Sequence, residues 1–161
     1  MPTAYSKYGS EATISGAASI AYNAYFWSAD VSLANGQTGG YYDRVQLSYE
    51  LRTNSNFAAN DAVYVGIIPV KPDGNAIYPA ALTSASGLTT TAATVAALKD
   101  AEHTIASQAI QAASETVKRT LQVEPQATTF KMGVWCSAAS TSAAITGMFA
   151  YWEPVESTTY T

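Results

Sequence analysis

Residues 41–53, YYDRVQLSYELRT, constrain the fold more than any other stretch. Val45, Leu47, Tyr49 and Leu51 alternate with Arg44, Gln46, Ser48, Glu50 and Arg52. A two-residue period sends successive side chains to opposite faces, so one face is apolar and the other wet. That pattern is a half-buried antiparallel strand. Other segments repeat the theme. In ASIAYNAYFWSADVSL, residues 18–33, Ile20, Tyr22, Ala24 and Phe26 take one face and Ala21, Asn23, Tyr25 and Trp27 the other. AVYVGIIPV, residues 62–70, reads as a more buried strand, with Pro69 marking its end or an edge. Within residues 128–153, TTFKMGVWCSA and AITGMFAYWE form a hairpin around ASTSA. In its second strand Ile145, Gly147, Phe149 and Tyr151 oppose Thr146, Met148, Ala150 and Trp152. NGQTGG, NSNFAAND and KPDGN separate the strands as turns and loops.

One stretch breaks the period. Val95, Leu98, Ala101, Ile105, Ala109 and Ala113 fall three and four residues apart among good helix formers. This predicts a helix over residues 92–113. TVKRTLQV then alternates again, with Val117, Leu121 and Val123 on one face and Arg119 intruding. About seven strands and one helical insertion predict a mainly β fold, an antiparallel two-sheet sandwich. Jelly-roll and immunoglobulin-like connectivities both fit; the mid-chain insertion favours the jelly roll. The expected organisation is an extended arm over 1–16, one sandwich domain over 17–153 and a polar tail over 154–161.

The chain holds 30 alanines, 16 serines and 19 threonines, and 12% of it is charged, about half the usual share. Either partners cover much of the surface, or the exterior is polar but nearly uncharged. The net charge is −4, and the one adjacent basic pair, Lys118–Arg119, is flanked by Glu115 and Glu124. No nucleic-acid partner is expected, because such binding needs a basic stripe. The longest largely apolar run, residues 17–27, is too short for a bilayer and contains Asn23. MPTAYSKYGSEATISG has no basic segment followed by an apolar one, so no secretion signal is read and no membrane partner is expected. Synthesis in a host cytoplasm combined with an exterior-type composition points to a virus particle.

Catalytic groups are sparse. His103 is the single histidine and Cys136 the single cysteine. His103 falls on the polar face of the predicted helix, and Cys136 alternates with Phe130, Met132 and Val134 as a core residue does. Asp30, Asp43, Glu50 and Asp61 show no reason to pair, and neither acidic loop has EF-hand spacing. We expect no enzyme, no metal and no cofactor. Aromatic residues are the enriched class, and they suit binding surfaces. Tyr25, Trp27, Tyr41 and Tyr42 flank one loop, placed to stack on a sugar or to pack against another chain or within the core. Tyr5, Tyr8 and Ile14 are candidate anchors on the arm. Trp135, Met148 and Trp152 occupy the second faces of adjacent strands. An apolar surface would remain there after one core is filled, which predicts self-association, a trimer by preference.

The arm YSKYGSEATISG, the strand YYDRVQLSYELRT and the closing GMFAYWEPVES together resemble the capsid cement, or decoration, proteins of tailed bacteriophages. The resemblance implies a homotrimer on the capsid exterior that clamps neighbouring major capsid subunits. It brings no catalytic residues. Two other classes fit the same composition: a receptor- or glycan-binding module of a phage fibre, and a surface filament subunit.

Overall fold

The computed structural model describes residues 4–8, 11–14, 16–17, 19–33, 44–70, 85–125 and 129–159, with 4–8 and 156–159 described through their backbone. Twelve strands and one helix run through these residues. They are β1 (Ala4–Tyr8), β2 (Ala12–Ile14), β3 (Ile20–Ala21), β4 (Tyr25–Trp27), β5 (Val31–Ser32), β6 (Arg44–Thr53), β7 (Ala62–Val70), β8 (Gly87–Thr89), α1 (Ala92–Ala101), β9 (His103–Ala109), β10 (Thr116–Val123), β11 (Thr129–Ser137) and β12 (Ala144–Thr159).

The strands form two antiparallel sheets packed as a sandwich. The first has the order β1-β12-β6-β10, with β2 and β3 also lying along β12. The second has the order β8-β4-β11-β7-β9, with β5 also on β11. The pairing is nested from the ends of the chain inward. The opening strands β1–β3 pair with the last, β4 and β5 with β11, β6 with β10, and β7 with β9. One long antiparallel ribbon is thus rolled up, and the β12–β6 and β11–β7 pairs lock the roll. This is jelly-roll connectivity.

Alternation builds the core between the sheets. Val45, Leu47, Tyr49 and Leu51 of β6 face Val63, Val65 and Ile67 of β7 and Phe130, Met132, Val134 and Cys136 of β11, all in one buried cluster. Met148, Ala150 and Trp152 of β12 join them. Pro69 lies inside β7 but beyond Ile67, the last residue that β9 pairs with. Its missing N–H therefore costs no rung on that edge.

Three expectations change. The helix stops at Ala101, not 113. Glu102 leaves helical geometry (φ −76, ψ 144) and the following residues pair along β7. Helical spacing loses to the free edge of β7, which offers residues 103–109 a ladder of backbone hydrogen bonds, and the chain then turns over 110–115. His103 accordingly opens an exposed edge strand and does not ride on a helix. The two chain ends, read as arm and tail, run antiparallel to each other from Ala4↔Thr159 to Tyr8↔Val155, and β12 continues through Pro154. Ile14 is buried in the core, so that part of the arm packs as sandwich. Finally, a bulge between Ile145 and Gly147 reverses the parity of β12. Ile145 points inward, and so do Met148, Ala150 and Trp152 three, five and seven residues on.

Candidate functional site

The bulge decides which aromatic residues meet water. Downstream of it Phe149 and Tyr151 project from the outer face of the first sheet, 48% and 40% exposed. Among the described residues the only other exposed large apolar side chain is Leu88 on β8. Register then sets their neighbours. Across β12, β6 and β10 the rungs read Gly147–Arg52–Thr116, Phe149–Glu50–Lys118 and Tyr151–Ser48–Thr120.

The side chains on these rungs are tied to one another. Glu50 accepts from Arg52 Nε at 2.8 Å and pairs with Lys118 Nζ at 2.9 Å. Those two contacts, Lys118 first, hold the Glu50 carboxyl below its usual range. The Arg52 guanidinium carbon lies 5.1 Å from the Phe149 ring centre, a cation–π arrangement. Ser48 and Thr120 hydroxyls meet at 3.0 Å. A shallow groove of about 480 Å³ runs over this face, reaching Tyr49 and Arg119 at its margin. Arg119 has the core-facing parity of Val117 and Leu121, but β10 is the sheet's edge, so its head escapes and Nη2 donates to Gln108 of β9. Chemically the face offers two rings, hydroxyls, and a cation-rich rim on a rigid sheet.

The outer face of the second sheet is different: its own chain covers it. Tyr25, Trp27 and Ile68 pack with Val95 and Leu98 of α1, and Trp135 closes the cluster. Gly66 and Gly133 sit opposite each other on β7 and β11 and leave a notch. Glu102 enters it. Its carboxylate accepts from Tyr25 OH, from Trp135 Nε1 at 2.8 Å and from Thr104 Oγ1 at 3.0 Å. Burial, reinforced by the Glu102 charge and its hydrogen bond, raises the Tyr25 phenol far above its ordinary value. Tyr64 stacks on Trp135 at 3.9 Å, and the Lys99 ammonium sits 3.9 Å from the same ring centre. Further along β11, Lys131 is 1% exposed and pairs with Asp30 at 2.7 Å, also donating to Ser28 O at 3.2 Å.

The residues singled out from the sequence fall in several places. Tyr25 and Trp27 do come together, but in the helix-covered cluster. Ile14 and Trp152 lie in the main core, with Met148. None of these offers its ring or chain to a partner, because the sandwich itself fills that role. Tyr5 and Tyr8 are described through their backbone, in β1; Tyr41, Tyr42 and Asp43 lie outside the described residues. Phe149, Tyr151, Arg52 and Lys118 were not expected as contact residues. The rung pattern that gathers them depends on a bulge that alternation alone does not reveal.

The groups considered for chemistry have structural work. Both Asp61 oxygens accept backbone N–H groups, from Ala58 at 2.8 Å and Ala139 at 2.9 Å, tying two loops together. Cys136 is buried, and burial pushes its thiol up to about 11. Among the described residues no three His, Cys, Asp or Glu side chains gather as a metal site, and no helix is long and apolar enough to cross a membrane.

No family model matches the chain, and no curated protein does. Two solved structures align with it at 11% identity. One is of T=1 particles derived from infectious bursal virus, over 99% of this chain and 41% of that one, with a TM-score of 0.20. The other is of infectious bursal disease virus, Gt strain, over 99% and 42%, with a TM-score of 0.19. The chain spans about two-fifths of the length of either. The fold assignment rests on the strand pairing and not on these alignments.

Proposed function

We propose that this chain is a structural virion subunit of the capsid-cement kind, which binds major capsid protein on the outside of a phage head and stabilises the shell. The observation that carries the reading is the sheet face bearing the exposed Phe149 and Tyr151, which no other described element covers. A charge-poor domain that covers one sheet with its own helix and leaves aromatic rings on the other is built to be covered by something else. Jelly rolls serve in capsids and in lectins alike, so the fold adds context by analogy only. The face is broad and open, which suits a protein surface better than an enclosed ligand. The sandwich itself fills the apolar surface of Trp135, Met148 and Trp152 that predicted self-association. Three copies in closed symmetry are therefore what the cement reading implies, with one docked subunit raising the effective concentration of the next. A glycan-binding module is the second reading, favoured by the Ser48 and Thr120 hydroxyls beside the rings.

The test is co-sedimentation with heads of the encoding virus assembled without this chain, with native mass measured on the free protein. Saturable binding to heads together with a trimeric mass is expected. A stable monomer that ignores heads but is retained by an oligosaccharide would favour the glycan reading.

A further inference from the structure

We propose that the face around Phe149 and Tyr151 docks on a carboxylate-rich protein surface; the assignment rests on the cement reading and names the chemistry of its partner. Charge distribution carries it. Arg52, Lys118 and Arg119 line the groove with Glu50. That is three of the chain's eight basic residues against one of its twelve acids, on a protein of net charge −4. The groove is therefore opposite in sign to the chain that carries it. A partner with the same sign as the whole molecule would be attracted to this face and repelled elsewhere, which fixes orientation on approach.

The cations also have capacity to spare. Lys118 and Arg52 side chains are 70% and 56% exposed while Glu50 is 21% exposed. Glu50 takes one donor from each, leaving the rest of the guanidinium fork and of the ammonium group free for incoming carboxylates. Stacking on Phe149 restricts the Arg52 head, so less side-chain freedom is lost on binding. The rings on β12 lie beside charge on β6 and β10, so an apolar anchor is flanked on one side by polar contacts of the kind an interface rim uses. From strand spacing and rise, four strands by ten residues present roughly 600 Å², close to the ~800 Å² per partner of a standard interface. A sugar fits less well, because the Arg52 guanidinium already occupies space over the Phe149 ring.

The experiment measures affinity of the full chain for heads lacking it, at low and high salt, for the unaltered protein, Glu50→Gln, Lys118→Glu and the double variant Phe149→Ser/Tyr151→Ser. Removing the one acid should tighten binding roughly threefold, reversing Lys118 should weaken it roughly tenfold or more, and salt should weaken all charged forms. The double variant should lose binding while its thermal unfolding stays in place. Polyglutamate should compete with heads. Four results overturn the assignment. If the double variant alone loses binding and both charge variants bind normally, the face stands and its acidic partner does not. Undiminished binding by the double variant moves the contact elsewhere. Release by polygalacturonate but not polyglutamate transfers the site to a glycan. No binding by the unaltered protein at either salt removes the cement reading itself.

Discussion

The two outer faces of this sandwich begin from the same kind of sheet and end differently. On the second sheet the chain supplies its own cover. α1 lies over Tyr25, Trp27 and Ile68, Glu102 fills the Gly66–Gly133 notch, and Lys131 is buried against Asp30. On the first sheet no described element lies over the rungs of Phe149 and Tyr151. The covered face needs satisfied polar groups, because each buried donor or charge lacks water to fall back on. The open face tolerates unpaired capacity because water fills it. Substitutions should therefore cost stability on one face and association on the other.

The largest effect is expected at Asp30. Asp30→Ala leaves Lys131 buried without its counter-charge, and stability should fall by about 3–5 kcal/mol, read from urea unfolding. Gly133→Ala comes next. A Cβ there would overlap the Tyr25 hydroxyl and lie 2.9 Å from Glu102 Oε2, which forces both out of the notch. A loss of about 2–3 kcal/mol is expected, and an unchanged midpoint would show that the notch is looser than described. Glu102→Ala removes the acceptor for Tyr25, Trp135 and Thr104 while leaving the core intact. Roughly 2 kcal/mol should go, accompanied by a change in Trp135 fluorescence as its ring loses its anchor. The smallest effect belongs to the open face. Phe149→Ser with Tyr151→Ser should shift stability by no more than about 0.5 kcal/mol; a large loss would mean that this face is part of the fold's own packing.

The contrast also explains which features the sequence made legible. The alternation of Val45 to Leu51 carried the half-buried strand, and β6 follows it residue for residue. Strand-rich segments around a mid-chain helix were enough for a two-sheet sandwich, since few other arrangements bury so many apolar faces. Between jelly-roll and immunoglobulin-like connectivity the pattern carried a preference only, and the nested strand pairing decides it. The helix end was not legible, because 105–109 satisfies helical spacing as well as strand pairing, and only the free edge of β7 decides between them. The site was hidden for a related reason. Periodicity assigns faces correctly until a bulge inserts one residue, and the shift between Ile145 and Gly147 exchanges the two faces of β12. Trp152 thereby moved from expected contact residue to core, and Phe149 and Tyr151 moved outward. Tyr25 and Trp27 did belong on a second face that something covers, but the cover is α1 and not another chain.

Side-chain footprinting would test the central claim most directly. Hydroxyl-radical labelling of the chain, free and bound to heads, reports the accessibility of individual aromatic residues. The account predicts that Phe149 and Tyr151 are labelled in the free protein and protected on the head, while Tyr25 in the helix-covered cluster resists labelling in both states. Equal labelling of Phe149 and Tyr151 in the free and bound states would contradict it.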